Sequence, residues 1–226
     1  MTAVAGTPCA TGRFADGTPL ASPGGLSLVC RGVDLAGLLP GDRVLDLGCG
    51  RGATAAGLRA ARGLDVVGVD VASQPADGCV CADAAALPFD RGSVHGALLE
   101  CALSVMADPG RVLGECARVL APGGRLVLLD LYARAPRAET APNGGVFLRG
   151  RDEVLGLVAA AGLAVIACED HTDALRTLTA RLLLERGSLD DLFGPRGCGL
   201  TEVRELRPGY LLVVAAARGS SGARVA

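Results

Sequence analysis

The chain has 226 residues, of which 50% are hydrophobic and 20% are charged, and 22 basic residues nearly balance 24 acidic ones. This apolar content supports a sizeable core and excludes a disordered chain. Every basic residue is an arginine. Without lysine, the chain can form neither a Schiff base with pyridoxal phosphate nor a Walker-A phosphate loop. The net charge of −2 disfavours a protein whose main partner is nucleic acid.

The sequence contains no pattern typical of a membrane span, a secretory signal or a metal site. Its longest uncharged apolar run, at 154–168, has 15 residues and two glycines, which is too short to span a bilayer. The first 17 residues lack a basic region followed by an apolar block. The nine cysteines include no C-x-x-C pair and only two histidines are present, so we expect no metal site. We expect a cytoplasmic protein with reduced cysteines.

Hydrophobic periodicity predicts alternating helices and strands after a loosely structured lead-in at 1–25. The predicted elements are helices at 26–39, 53–61, 111–120, 151–161 and 174–185, and strands at 43–47, 66–69, 79–82, 94–99, 125–131, 164–168 and 210–217. Short apolar strands between helical segments are typical of a parallel sheet that is buried on both faces. We therefore expect one α/β doubly wound domain over 26–217, with insertions around 132–150 and 170–208 and a flexible tail at 218–226.

A glycine-rich turn follows the first predicted strand. Asp46 lies near the end of that strand. Gly48, Gly50 and Gly52 come next, and they allow the backbone to turn tightly and to approach a ligand closely. The helix after the turn would present its free N–H groups to an anionic ligand. Because Gly48, Gly50 and Ala53 also fit the G-x-G-x-x-A pattern, the turn alone leaves open an NAD-binding protein.

Two more carboxylates follow the next two strands. Asp70 ends the second strand, where it could accept hydrogen bonds from both hydroxyls of a ribose. Asp83 follows the third strand and could accept a hydrogen bond from the amine of an adenine. Leu87 and Phe89 would give that adenine apolar cover. These positions predict a nucleoside site at the carboxyl edge of the sheet.

Together, these segments resemble class I S-adenosylmethionine-dependent methyltransferases. The most similar group is the type 11 small-molecule methyltransferases, which include ubiquinone, menaquinone and arsenite methyltransferases. The resemblance covers about residues 26–135 and rests on an ordered set: the Asp46 glycine turn, Asp70, the 83–89 segment and the stretch 118–130. It implies a Rossmann-like sheet of seven strands whose last strand, at 210–217, is antiparallel. It weakens the NAD alternative, which explains neither Asp46 nor Asp83.

The resemblance also implies a binding site for S-adenosyl-L-methionine. Asp46 and the glycines would lie near the methionine moiety of this cofactor. Asp70 would hold the ribose, and Asp83 would hold the adenine amine. The implied cofactor-binding residues are Asp46, Gly48, Cys49, Gly50, Asp70, Val71, Asp83 and Ala84.

The expected reaction is in-line methyl transfer to a small-molecule acceptor. Transfer from a sulfonium requires alignment and exclusion of water more than covalent catalysis. The sequence accordingly contains no candidate nucleophile–base–orienter triad. Glu100, Cys101 and Tyr132 follow the fourth and fifth strands, and we expect them to contact the acceptor.

His171 is predicted to be the acceptor-side base or hydrogen-bonding group. It follows the sixth strand and lies beside two carboxylates, which would favour its charged form. The alternative is a structural histidine before the next helix, where Thr172 and Asp173 are natural capping residues.

Three other functions are compatible with the sequence. An arsenite methyltransferase would use Cys101, but residues 133–151 contain no second cysteine. An RNA or protein methyltransferase is disfavoured by the net charge and by the absence of an Asn-Pro-Pro-Tyr-like motif after the fourth strand. A protein that binds the cofactor without catalysis would have the same binding loops.

Overall fold

The computed structural model describes residues 22–71, 78–135, 148–187, 189, 205 and 207–218. Within these residues the helices are α1 Gly25–Ala36, α2 Ala53–Arg62, α3 Pro109–Val119, α4 Arg151–Ala160 and α5 Thr172–Arg186. The strands are β1 Arg43–Leu47, β2 Asp65–Asp70, β3 Cys79–Cys81, β4 Val94–Glu100, β5 Leu120–Ala133, β6 Leu163–Asp170 and β7 Pro208–Ala217. A short 3-10 helix, Leu103–Val105, follows β4.

The seven strands form one sheet in the order β3-β2-β1-β4-β5-β7-β6. The strands β1 to β5 are parallel, whereas β7 runs antiparallel to both β5 and β6. The order reverses between β1 and β4, so their carboxyl ends flank the crevice where ligands bind in open α/β sheets. The predictions of a doubly wound α/β fold and of an antiparallel last strand are confirmed.

The sheet is buried between two layers of helices. The residues of α1, α2 and α5 belong to one apolar cluster, and those of α3 and α4 belong to the other. The side chains of β5 alternate between the two clusters: Val127 and Leu129 face α1, whereas Leu126 and Leu128 face α3. Each buried leucine contributes about 1.5–3 kcal/mol through removal from water. Burial on both faces explains why the strands are continuous apolar runs.

The ends of two helices differ from the prediction. Gly37, at φ +66°, ends α1 in a left-handed conformation, so the helix stops before the apolar pattern does. The helix α5 begins at Thr172, with His171 in the capping position but with no capping bond from its side chain. Asp170 Oδ1 instead accepts the Thr172 amide at 2.8 Å. The structural alternative is therefore confirmed in placing His171 at the start of this helix, whereas Thr172 and Asp173 lie inside the helix and do not cap it.

Some expected segments lie outside the described residues. These are residues 1–21 of the lead-in, 219–226 of the tail, 136–147 of the first insertion and most of 188–206 in the second. The assignment of the domain and its insertions stays a prediction. None of the helices in the described ranges is long and apolar enough to cross a membrane.

The contact between α1 and the sheet depends on Gly32. A Cβ atom there would lie 2.6 Å from Val127 Cγ1 and 2.9 Å from Leu212 Cδ1. We expect Gly32→Ala to lower the free energy of unfolding by about 1–3 kcal/mol, because the helix must move away from the sheet. Urea denaturation measures the change.

The matched control is Gly114→Ala on the exposed side of α3, where an added Cβ meets nothing within 4 Å. That substitution removes a glycine from a helix interior and should stabilise the fold by about 0.5–1 kcal/mol. Equal effects of the two substitutions would contradict the close packing of α1 on β5 and β7.

Candidate active site

The glycine turn connects β1 to α2 and is attached to β2. Gly48 has a φ of +74°, and a Cβ on it would lie 2.8 Å from Ala102 Cβ, so this position requires glycine. The amides of Gly48 and Cys49 donate to the Val69 carbonyl at 2.8 and 3.2 Å. These bonds fix the turn at the carboxyl end of β2 and leave its backbone open to close approach by a ligand.

Asp70 joins the turn to the end of β2 through its side chain. Its Oδ2 accepts the Gly50 amide at 2.9 Å. The next residue, Val71, has 63% of its surface exposed. The backbone carbonyl of Asp70 accepts the Ala82 amide at 3.0 Å, which brings the end of β3 alongside. The carboxylate predicted to hold a ribose thus lies against the glycine turn.

The segment after β3 holds the other two residues that were predicted to bind the adenine. Asp83 Oδ1 accepts the Ala85 amide at 2.8 Å, which orients the exposed carboxylate. Ala84 is buried in the same core cluster as Leu87. The structure therefore brings Asp70 and this segment together at the neighbouring ends of β2 and β3.

Asp46 lies buried beneath the glycine turn. Within the described part of the chain, its Oδ2 has no hydrogen-bond partner. Burial is the main cause that raises the pKa of Asp46 to about 7, and the charge of Glu100 is the next. A hydrogen bond from the Ala55 amide acts in the opposite direction. The site thus holds a buried acceptor that a cationic or hydrogen-donating ligand could satisfy.

Glu100 joins three segments at the end of β4. Its Oε1 accepts a hydrogen bond from the hydroxyl of Ser22, just before α1. Its Oε2 accepts one from Thr54 Oγ1, in the first turn of α2, at 2.6 Å. Two hydroxyls therefore hold Glu100 in place, the residue that was predicted to contact the methyl acceptor. Sequence reasoning did not identify Ser22 and Thr54, which are single hydroxyl residues without a motif.

Cys101 contacts a buried tyrosine across the sheet. It has a φ of +50°, an uncommon conformation for a residue other than glycine. Its Sγ lies 3.3 Å from the hydroxyl of Tyr210 in β7. Burial and the nearby Cys101 raise the pKa of Tyr210 well above its ordinary value, so its hydroxyl stays protonated. The chain has only two tyrosines, and this scarcity was the one sequence signal that could have identified Tyr210.

A buried carboxyl at the end of β5 positions the segment after β4. Asp130 Oδ2 accepts the Ser104 amide at 2.9 Å, and Oδ1 accepts the Leu131 amide at 2.7 Å. Burial raises the pKa of Asp130. The bond to Ser104 holds the short 3-10 helix beside the glycine turn, since the Met106 methyl would lie 3.7 Å from a Cβ on Gly48. Asp130 was not identified from the sequence.

Tyr132 and His171 lie toward the β6 side of the sheet. The Tyr132 hydroxyl donates to Asp170 Oδ2 at 2.7 Å. His171 Nε2 lies 2.9 Å from Glu169 Oε2, and Arg31 binds both oxygens of Glu169 at 2.6 and 2.7 Å. The hydrogen bond from Arg31, and next the one from His171, lowers the pKa of Glu169 to about 2.

The structure does not bring His171 and Cys101 together. Their strands are separated by β5 and β7, so the strand ends lie about 14 Å apart at the usual spacing of neighbouring strands. Apart from Tyr132, which lies near the end of β5 and bonds to Asp170, the other predicted residues lie at the neighbouring ends of β1 to β4.

Comparison with known proteins identifies the family. Residues 45–128 match a family model described as a methyltransferase domain. The O-methyltransferase cnsE of Penicillium expansum is 31% identical over 201 residues, which cover 77% of this chain and 72% of that protein. The chain belongs to the class I S-adenosylmethionine-dependent methyltransferases. The predicted resemblance is confirmed.

Another relative of this methyltransferase is the 27-O-demethylrifamycin SV methyltransferase of Amycolatopsis mediterranei (strain S699). It is 32% identical over 169 residues, which are 63% of this chain and 62% of that protein. The chain also spans about half the length of several demethylmenaquinone methyltransferases that it matches. Each of these matches therefore covers only part of the relative's length.

Solved structures share the methyltransferase fold at low sequence identity. The [4+2]-cyclase SpnF has a TM-score of 0.71 and 23% identity, covering 96% of this chain and 91% of that one. The geranyl diphosphate C-methyltransferase of Streptomyces coelicolor A3(2), in complex with Mg²⁺, geranyl diphosphate and S-adenosyl-L-homocysteine, has a TM-score of 0.69 and 18% identity, covering 84% and 80%. At these identities the likeness concerns the fold alone.

Two features of this methyltransferase fit the cofactor of its family. The unpartnered Asp46 Oδ2 is an acceptor suited to a cationic group. Gly48 has no side chain, so a ligand can approach the backbone closely at this position.

The raised pKa of Asp46 makes the stability of the methyltransferase depend on pH. The pKa is about 7 in the fold and near its ordinary value of 3.8 in the unfolded chain, so the fold binds this proton more tightly. Between these values the free energy of unfolding should fall as pH rises, by about 1.4 kcal/mol per unit, and then level off. Asp46→Asn mimics the neutral carboxyl and should lack this component.

Urea denaturation of the wild type and Asp46→Asn, without ligand, from about pH 5 to pH 8 tests the prediction. The difference between the two proteins cancels the titration of other groups. A difference that is constant across this range would show that Asp46 has an ordinary pKa.

Proposed function

We propose that the protein transfers the methyl group of S-adenosyl-L-methionine to a small-molecule acceptor. The observation that carries this proposal is the buried Asp46 oxygen without a hydrogen-bond partner among the described residues. It is an acceptor for a cationic ligand, and it lies at the crevice where the strand order reverses between β1 and β4. The relatives support a small-molecule acceptor, since their names refer to demethylrifamycin and demethylmenaquinone.

The cofactor would extend along the carboxyl ends of β1, β2 and β3. Asp46, Gly48, Cys49 and Gly50 would hold the methionine end. Asp70 and Val71 would hold the ribose, and Asp83 and Ala84 would hold the adenine. When bound, S-adenosyl-L-methionine supplies a methyl group that is already activated by the sulfonium charge.

The protein's own part in the reaction is to orient the acceptor and to exclude water. Glu100, Cys101 and Tyr132 are the proposed acceptor contacts. Thr54 and Ser22 hold the Glu100 carboxylate in a fixed position. Burial, followed by the bond to Asp170, raises the pKa of Tyr132, so its hydroxyl remains a hydrogen-bond donor at neutral pH.

The other predictions concern a metalloid acceptor, nucleic acid and the location of the protein. Among the residues described, no three His, Cys, Asp or Glu side chains converge as metal ligands, so Cys101 gains no support as part of an arsenite site. The net charge of −2 supports an acceptor other than nucleic acid. A cytoplasmic location stays a prediction.

Calorimetric titration with S-adenosyl-L-homocysteine tests the proposed cofactor. We expect Asp70→Asn to weaken binding about 10- to 100-fold, because hydrogen bonds to a charged carboxylate contribute about 1.5–3 kcal/mol. The control is Asp65→Asn, which removes an exposed carboxylate from the opposite end of β2 and should leave the affinity unchanged.

No heat of binding to the wild-type protein would contradict the proposed function. Equal affinities of the two variants would contradict only the assignment of Asp70. Transfer of a labelled methyl group to a pool of small molecules then separates a catalyst from a protein that only binds the cofactor.

The predicted role of His171 as a base requires that His171→Ala lower kcat by about a hundredfold or more at neutral pH. Because His171 also bonds to Glu169, the loss could arise from a displaced Glu169. Arg31→Ala is the control, since it removes the other partner of Glu169 and leaves the imidazole in place. Unchanged turnover of His171→Ala, or equal losses in both variants, would exclude His171 as the base.

A further inference from the structure

Two cysteines meet at the border between the glycine turn and β3. Cys49 Sγ lies 3.5 Å from Cys79 Sγ. Cys49 is in the turn after β1, and Cys79 is the first residue of β3. Both are free thiols and both are partly exposed, so a small reagent can reach them. Neither the proposed reaction nor the fold requires this contact between two sulfurs.

The strand between them makes room for the pair. Gly68 in β2 pairs with Cys79 in the parallel register. A Cβ on Gly68 would lie 2.5 Å from Cys79 Sγ and 2.7 Å from Cys49 Sγ. The two thiols therefore occupy the volume that a side chain at residue 68 would fill, and this packing keeps them in contact.

We propose that Cys49 and Cys79 are a modification site, at which a peroxide forms a disulfide between the glycine turn and β3. In the first step hydrogen peroxide oxidises one thiol to a sulfenic acid and is itself reduced to water. In the second step the other thiol attacks this sulfur, forms the S–S bond and releases a second water. The two thiols lose two hydrogens and two electrons in total, which reduce the peroxide.

The geometry favours a disulfide over a bound metal. The sulfurs must approach by about 1.5 Å to reach the S–S bond length of about 2.05 Å. A structural zinc site takes four ligands, and in the described ranges no third His, Cys, Asp or Glu joins these two.

The surroundings of Cys49 disfavour its direct oxidation by peroxide. Burial, and next the hydrogen bond to Cys79, raises the pKa of the Cys49 thiol above its ordinary value. The thiolate is the form that peroxide oxidises, so Cys49 is a poor first target. The 3.5 Å contact allows the remaining thiol to attack the sulfenic acid directly, and the proton of that thiol leaves with the hydroxide as water.

The disulfide would act on the cofactor site, and this part of the inference rests on the proposed function. Cys49 lies between Gly48 and Gly50, and the Gly50 amide donates to the Asp70 carboxylate. Movement of Cys49 toward β3 displaces this bond. We therefore expect the oxidised protein to bind S-adenosyl-L-homocysteine at least about fivefold more weakly, with full recovery after treatment with a thiol reductant.

Peptide mapping by mass spectrometry, without reduction, tests the crosslink in the whole protein after treatment with hydrogen peroxide. We expect a Cys49–Cys79 crosslink in the wild type and in the control Cys81→Ser, which removes the exposed thiol two residues along β3. Cys79→Ser should form no crosslink at Cys49. A Cys79–Cys81 crosslink, or sulfinic acid at either residue without a crosslink, would overturn the proposal.

Calorimetry on the same samples tests the effect on the cofactor site separately. Peroxide should weaken binding of S-adenosyl-L-homocysteine by the wild type and by Cys81→Ser, but not by Cys79→Ser. A crosslinked protein with unchanged affinity would overturn the effect on the cofactor site. If the reduced wild type binds no S-adenosyl-L-homocysteine, the proposed function fails, whereas the crosslink is still decided by the peptide map.

Discussion

The site depends on a buried carboxyl group, that of Asp46, whose Oδ2 has no hydrogen-bond partner among the described residues and on which the charge of Arg59 acts only as a minor opposing influence. Asp46 lies on the α1–α2 side of β1, and the nearby carboxylates of Glu100 and Asp70 raise its pKa further. A protein interior tolerates such a group only if it is neutral or paired. The Ala55 amide donates a hydrogen bond to the Asp46 carboxyl group, which lies beneath the glycine turn. A ligand with positive charge would pair with this carboxyl group, so the local fold favours such a ligand.

The topology explains how residues from distant parts of the chain meet at the site. The order of strands reverses between β1 and β4, and the ends of these strands carry Asp46 and Glu100. Segments that start helices, at Ser22 and Thr54, then reach the same carboxylate. Parallel strands end at one edge of the sheet, so acidic groups far apart in sequence become neighbours there.

Much of the fold could be predicted because its determinants are local. Continuous apolar runs identified the seven strands, and the glycine turn with Asp70 and Asp83 identified the carboxyl edge. The predicted start of β5 at residue 125 was five residues late, because the Pro-Gly-Gly segment at 122–124 lies inside the observed strand. Leu120 already pairs with Val94 of β4, and a register shift then skips residues 121–124 before Arg125 pairs with Gly96, so the turn-forming residues interrupt the ladder without starting the strand.

The contacts of the site could not be predicted because they join residues that are remote in sequence. Cys101 and Tyr210 are 109 positions apart, and nothing in either segment indicates the other. The same is true of Arg31 and Glu169, which are 138 positions apart. His171 is the exception, because its partner Glu169 is only two residues away and is one of the two carboxylates from which the sequence prediction was made. The seven strands and the antiparallel last strand were predictable from the family resemblance, but side-chain partners remote in sequence were not.

The position of β7 inside the sheet has a consequence for how the chain folds. Among the described strands, β6 has only β7 as a neighbour, although β6 comes earlier in the chain. During synthesis, β6 therefore emerges from the ribosome before the strand that attaches it to β5. The apolar β6 can join the sheet only after residues 208–217 have been synthesised. Until then the edge of β5 that β7 will cover is unpaired and can bind another strand by mistake.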